Sequence, residues 1–359
     1  MTKQLNKTSR ISISSKAVKQ KAIALGFHQV GIARIEPQPS AAEQSAKQHL
    51  QSWLAAGYQA DMAWMSSAKR QDIRQILPNA AAVVCVALNY YTPHKRPIGS
   101  QYARISRYGW GRDYHRVLTK KLKQLARWMQ ESTAGIEARL YADTGPVQDK
   151  FWAQQAGLGW IAKNGNVITR SYGSWVFLGE VITNAALEPD RPHSEHCGTC
   201  TRCLSACPTE AIRAPSVIDA NRCIAYHTIE NRAEALPDEI AQNLNGWVAG
   251  CDICQDVCPW NQRFSQNTDE LAFYPYPDNI APTLYTLSQM TDEEWNQRFP
   301  ASALRRIKPG MLRRNARAAL RSLEEDRRRE AAEEKSRESD MVTDANESSN
   351  SDGSQEETS

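Results

Sequence analysis

The 359-residue chain lacks several features that would have settled its class at once. It has no run of eighteen apolar residues, so no segment reads as a membrane-crossing helix. Its opening residues, MTKQLNKTSRISISSK, are basic and Ser-rich with no apolar core, which excludes a secretory signal. It has no GxGxxG turn between a strand and a helix. The glycines of AGLGWIAKNGN (156–166) stand in the wrong order, and a dinucleotide fingerprint is excluded. From 340 to 359 there is no Lys or Arg, against six acids: Asp340, Asp344, Glu347, Asp352, Glu356 and Glu357. The rest of the chain therefore carries six more positive charges than the overall +4. Such a body suits a polyanion such as nucleic acid, or is a solvated basic surface with no partner.

What the chain does have is cysteine in a pattern. Cys197, Cys200, Cys203 and Cys207 stand as C-x2-C-x2-C-x3-C before Pro208, and Cys251, Cys254 and Cys258 as C-x2-C-x3-C before Pro259. This is the ligand spacing of a bacterial two-cluster iron–sulfur module, in which the cysteine before proline crosses to the other cluster. The second run is one short, with Val248 where a cysteine would complete it, and Cys223 lies between the runs. Cys197, Cys200, Cys203 and Cys258 then make one [4Fe–4S] site, and Cys207, Cys223, Cys251 and Cys254 the other. Structural zinc prefers separated C-x2-C hooks, and disulfides need an oxidising compartment. Reduced thiolates and the absent signal place the chain in the cytoplasm. The ninth cysteine, Cys85, sits in the apolar run AAAVVCVALNYY (80–91) as an inert core thiol.

Strand and helix patterns alternate from 15 to 185, giving an α+β, α/β-like catalytic domain. Ser15 is the expected N-cap of a first helix and Gly26 its stop. Residues 1–14 read as a disordered leader, 186–262 as the ferredoxin-like two-cluster insert, 263–322 as a short helical segment, and 323–359 as a disordered acidic, Ser-rich tail. The Met/Trp stretch Tyr58–Arg70 reads first as core packing of a short helix, and otherwise as a soft wall against a flat cofactor. Asp143 follows a strand, where polar residues of α/β sheets meet ligands; its ordinary role would be an Asx turn. The loop RISRYGWGRDYH (104–115) interleaves Arg with Tyr and Trp, suiting phosphates and exposed bases, or anchoring a solvated basic helix. A second basic stretch holds Arg305, Arg306, Lys308, Arg313, Arg314 and Arg317.

Taken together, RYGWGRDYH (107–115), DTGPVQDKFWAQQAGLGWIAKN (143–164), GSWVFLGE (173–180), CPTEAI (207–212), RCIAYHTIE (222–230) and GCDICQDVCPWN (250–261) resemble the cobalamin-dependent epoxyqueuosine reductases over about 15–320. The core is also similar to that of the reductive dehalogenases. The resemblance implies reduction of epoxyqueuosine to queuosine at the wobble position of tRNA. It implies base-off cobalamin fed by the two [4Fe–4S] clusters, with Asp143 as the proton donor. No D-x-H-x-x-G motif is present, because Asp113-Tyr114-His115 is followed by Leu118 where glycine would stand, so a histidine lower ligand is not expected. Implied corrinoid contacts are Met65, Asp143, Lys163 and Val167. Implied contacts to the tRNA anticodon stem-loop are Arg107, Tyr108, Trp110, Arg112, Arg313 and Arg314. Many members of that family carry C-terminal helical repeats, where this chain shows only short helices near 283–322.

Removing an epoxide oxygen as water takes two electrons and two protons. On this reading reduced cobalt attacks the epoxide or passes it electrons, and burial raises the Asp143 pKa so that it can protonate the departing oxygen. The expected partners are modified tRNA and an electron donor, with no membrane, and the expected state is a monomer. The competing readings are a reductive dehalogenase-like enzyme, a ferredoxin-like carrier and a non-catalytic tRNA-binding protein. The carrier leaves the domain before the clusters without a purpose, and the dehalogenases carry a twin-arginine signal that this N-terminus lacks.

Overall fold

The computed structural model describes residues 11–280 and 282–350, with side chains undescribed at 330 and 334–350. At its centre is a sheet of four strands, β1 (Gln29–Arg34), β2 (Ala82–Asn89), β3 (Ala138–Tyr141) and β4 (Val176–Thr183), in the order β1-β2-β4-β3. Every pairing in it is antiparallel. β2 is buried along its whole length, as its continuous apolar run requires of a strand covered on both faces.

The covers are helices. Val18 and Ala22 of α1 (Ser15–Ala24), with Leu118, Leu122, Leu125 and Met129 of α2 (Tyr114–Ser132), pack on Ile32, Val84, Val86 and Val181. Each fully buried leucine is worth about 1.5–3 kcal/mol relative to exposure. On the other face Trp152 and Ala153 of α3 (Asp149–Gln155) pack on Ala33, Val83, Cys85 and Ile182. Cys85 is thus a core thiol. α1 is capped by Ser14 rather than Ser15, and Gly26 ends it at φ +83°. Asp113 caps α2, accepting from the His115 amide.

A third core joins distant segments. Trp110, Trp247, Val248, Leu284, Trp295, Phe299 and Leu304 gather against Leu312 and Ala316 of α4 (Pro309–Asn350). Asn315 of α4 donates to the Thr228 and Val248 carbonyls. Val248 is fully buried here, so the position of the missing cysteine became a core position.

Two expectations change. The chain is tied down from Ile11, whose carbonyl accepts from the Ala186 amide, so the leader expected without structure is shorter than 1–14; residues 1–10 lie outside the described residues. The tail expected without structure from 323 continues α4 to Asn350, because its Ala, Glu and Arg are strong helix formers. Residues 351–359 lie outside the described residues. Among the described residues no helix is long and apolar enough to cross a membrane.

Candidate functional site

Cys197, Cys200, Cys203 and Cys258 line one cavity, with Lys163, Ile168 and Trp260. The stretch 160–164 holds this cavity together. The Trp160 indole N–H points at Cys197 Sγ at 3.5 Å, Lys163 Nζ donates to the Gly198 and Cys200 carbonyls, and Asn164 donates to the Cys254 carbonyl. The other four thiols form a second group. Burial first, then the nearby Cys223, Asp252, Cys203 and Cys207, pushes the Cys254 thiol well up. Among the described residues no three His, Cys, Asp or Glu side chains converge as a single ion requires. A cubane, whose iron corners hold the thiolates apart, asks for no such convergence. His227, beside Cys223 in sequence, is hydrogen-bonded at both ring nitrogens, to the Asn221 carbonyl and the Asn231 amide.

Asp143 lies two residues beyond β3 at φ +64°, in the left-handed region that a non-glycine residue seldom occupies. The sheet around it is antiparallel, so the rule for parallel α/β strand ends is not what places it there. The turn is held by Arg70, which donates to the Gly145 and Val147 carbonyls at 2.9 and 2.6 Å. Tyr114 Oη donates to Asp143 Oδ2 at 2.6 Å, and His115 Nε2 donates to the same oxygen at 3.2 Å. His115 Nδ1 donates to Asp113 Oδ1 at 2.8 Å.

Burial alone would raise the Asp143 carboxyl, but the His115 and Tyr114 hydrogen bonds and the His115 charge outweigh it, and the pKa lies below the usual value. The expected upward shift is therefore corrected. His115 goes the other way. Burial lowers it, yet two carboxylates press it up to about 9.

Asp143 opens on a cavity with an apolar wall of Val167, Val176, Phe177 and Leu178, and a polar edge of Lys150, Asn166 and Ser174. Ser174 donates to Gln255, within the second cysteine run, and accepts from Asn261, just after it. The two halves of the chain therefore meet at this wall.

Of the implied corrinoid contacts, Asp143 and Val167 share this cavity, whereas Lys163 belongs to the cysteine cavity. Met65 is half-buried in the 3-10 turn Ala63–Ser66, and none of that turn is core. Core packing is thus not the role of the Met/Trp stretch. Trp64 is 47% exposed with the Arg306 guanidinium 5.5 Å from its ring. The segment instead docks on the cluster insert through Asp61 and Tyr226.

The implied RNA contacts divide sharply. Trp110 is 1% exposed and gives its N–H to the Ile105 carbonyl, so its ring is core. Arg107 lies over the rings of Tyr91, Trp110 and Trp175 and donates to the Thr92 and His94 carbonyls. The Tyr108 hydroxyl is buried. Arg314 donates to the carbonyls of His227, Asn231 and Ala233. These four side chains serve the protein's interior, which corrects the RNA-facing expectation. Arg313 pairs with Asp292 at 2.7 Å, and Arg112 is exposed.

Sequence reasoning missed Arg70, His115 as a partner of Asp143, and Glu180. Glu180, opposite Cys85 and Tyr141 in the sheet, is buried with neither carboxyl oxygen bonded. Only the adjacency of Tyr114-His115 to the cap residue Asp113 could have pointed to the second.

Comparison with known proteins agrees along the chain. A family model described as epoxyqueuosine reductase QueG, DUF1730, matches residues 70–144, and one described as a 4Fe-4S double cluster binding domain matches 196–261. An epoxyqueuosine reductase of Synechocystis is 63% identical over 80% of this chain and 99% of that protein. One of Gloeobacter violaceus is 52% identical over 84% and 94%. Among solved structures, epoxyqueuosine reductase with an epoxyqueuosine-modified tRNA stem loop superposes with a TM-score of 0.76 at 30% identity, covering 85% of this chain and 80% of that one. The Bacillus subtilis enzyme, with an aspartate catalytic loop swung out of its active site, gives 0.77 at 30% identity over the same shares.

Proposed function

The chain belongs to the epoxyqueuosine reductase family of oxidoreductases, and from that premise we propose that it reduces epoxyqueuosine to queuosine in the anticodon loop of tRNA, in the cytoplasm, with Asp143 delivering the proton. Its 196–261 stretch is a double [4Fe–4S] cluster-binding domain. Cys197, Cys200, Cys203 and Cys258 would hold one cluster, and Cys207, Cys223, Cys251 and Cys254 the other. Removing the epoxide oxygen as water consumes two electrons and two protons, and the clusters deliver electrons singly.

The observation that carries the reading is the joint between the halves. Asp143 and Ser174 line one cavity, and Ser174 is hydrogen-bonded to Gln255 and Asn261 beside the second cysteine run. A substrate held there lies between an acid and an electron source. The chemistry of the donor set suits a flat, amide-rimmed corrinoid: an apolar wall of Val167, Val176 and Leu178, with Lys150, Asn166 and Ser174 to meet peripheral amides. When bound, such a group supplies two-electron reduction gathered from one-electron carriers. The chain's own residues do the rest. Phe177 and Leu178 keep water from the apolar wall, and Tyr114 and Arg70 fix the Asp143 turn. The tRNA complex of one solved relative, and the aspartate catalytic loop swung out of the active site in the other, support the same roles here.

The test has two arms. Nucleosides from a deletion strain should accumulate epoxyqueuosine; unchanged queuosine sinks the reading. The purified protein, reconstituted anaerobically with cobalamin, should show corrinoid bands beside the iron–sulfur ones, and Asp143→Asn should keep both while losing turnover.

A further inference from the structure

Both hydrogen bonds to Asp143 described above reach a single oxygen, Oδ2, and among the described residues Oδ1 accepts none. His115 is clamped between two carboxylates, Asp113 on Nδ1 and Asp143 on Nε2, and its ring is stacked on that of Tyr114, with centroids 4.0 Å apart and planes inclined by 26°. The Tyr114 ring is stacked in turn on Phe177, 4.1 Å away. The imidazole therefore cannot turn away from Asp143 without unstacking an aromatic column. We propose that His115 is the proton source of the reaction, and that Asp143 is the conduit through which its proton reaches the epoxide oxygen. This rests on the reductase reading and adds to it where the proton is stored.

The physical case begins with charge. Asp143 lies below the usual carboxylate range, so the resting turn holds no proton of its own at neutral pH. His115, raised to about 9, holds one. Other charged or titratable groups facing the pair are Arg116 and Tyr108, Asp149 and Lys150 of α3, Glu180 of β4, and Arg306 from the C-terminal segment. When substrate covers the cavity, desolvation disfavours the ion pair and favours neutral imidazole beside neutral carboxylic acid. The Nε2 proton then passes to the carboxylate. As the epoxide C–O bond breaks with electrons supplied by the clusters, the departing oxygen takes that proton from Asp143. His115, left neutral and 29% exposed, regains a proton from solvent and supplies the second one needed to release water. In sum, one epoxide, two electrons and two protons give one alkene and one water.

The experiment compares kcat against pH for the reconstituted holoenzyme and for His115→Gln, whose amide can still donate to Oδ2 but cannot release a proton. The wild type should lose activity as pH rises through about 9, because the protonated pair is the active form. The variant should lose that limb and fall tenfold per pH unit from a point well below neutrality, so that by pH 8 it is more than about a thousandfold slower, with KM little changed. Asp113→Asn, which removes only the charge behind Nδ1, should move the limb down without abolishing turnover. A histidine-labelled NMR titration of the wild type, read without turnover, should show one ring titrating well above the ordinary 6.5 and absent from the Gln variant. The same basic limb in wild type and His115→Gln, or a His115 ring titrating near 6.5, overturns the proposal while leaving the reductase reading intact. A wild type that reduces no epoxyqueuosine overturns the reading itself.

Discussion

Arg107 gives its backbone N–H to Asp252 at 2.8 Å, which hangs the loop before α2 on the residue between Cys251 and Cys254. Asp252 is fully buried and also accepts from Ser106 Oγ, Arg96 and Gln255. Removing one partner of such a buried set leaves charge uncompensated, at a cost of about 3–5 kcal/mol. Asp252→Ala should therefore lower stability by that order in chemical denaturation. Asp252→Asn, which keeps the acceptor for the Arg107 amide, should cost less. Equal midpoints for the two variants would mean that the charge, rather than the loop amide, is what Asp252 serves.

Arg70 reaches the Asp143 turn from the 3-10/α segment before β2, and its two contacts to the carbonyls of 145 and 147 hold the backbone of that turn. Arg70→Ala should leave the fold nearly intact, because the residue is half-buried and its loss opens no core. It should lower kcat more than it raises KM, since a mispositioned acid affects the reacting geometry rather than binding. A drop of ten- to a hundredfold in kcat is the expected order. A pure KM effect would assign Arg70 to substrate binding.

How far the sequence carried can be judged from these same residues. The cysteine pattern was legible because ligand spacing is a local property, and so were β2, from its continuous apolar run, and α2, from its apolar periodicity. The α+β class followed, but not the strand pairing: an antiparallel sheet in the order β1-β2-β4-β3 depends on contacts far apart in the chain. Asp143 was legible through the motif that resembles the family, while its partners were not, since Arg70 and His115 reach it from two other segments. The basic, aromatic loop misled. Composition cannot distinguish an arginine over a base from one over Trp110 and Trp175, and the structure has the latter. The tail misled in the opposite sense, because low hydropathy removes a core but not helix propensity.

Glu180 should make stability fall with rising pH. Burial pushes its carboxyl well above the ordinary value of 4.5, with Asp149 and Asp143 adding repulsion. The folded state therefore keeps a proton that the unfolded chain gives up. By linkage, the advantage is complete below about 4.5 and is lost as pH rises toward the folded pKa, at about 1.4 kcal/mol per pH unit. Glu180→Gln keeps the shape and has no proton to lose. It should remove this slope and be more stable than wild type at pH 8, measured as denaturation midpoints across pH. Parallel curves for the two proteins would show that Glu180 finds a partner in solution.

Binding of the modified tRNA should depend on salt, and the structure selects the side chain that carries the dependence. Arg107 and Arg314 are committed to internal carbonyls, and Arg313 is paired with Asp292. Arg112 is exposed, one residue before the cap of the helix that carries Tyr114 and His115, and among the described residues only its backbone amide is engaged, with the Ala272 carbonyl. Each phosphate contact contributes about 0.7–0.9 to the slope of log affinity against log salt. Arg112→Ala should therefore reduce that slope by about one contact and weaken binding several-fold at low salt, with the difference shrinking as salt rises. Arg107→Ala should instead lower stability, because it removes a guanidinium packed between three aromatic rings and two carbonyls. Filter-binding isotherms at several salt concentrations, paired with melting curves, separate the two. An unchanged slope for Arg112→Ala would place the phosphate contact elsewhere on the basic face.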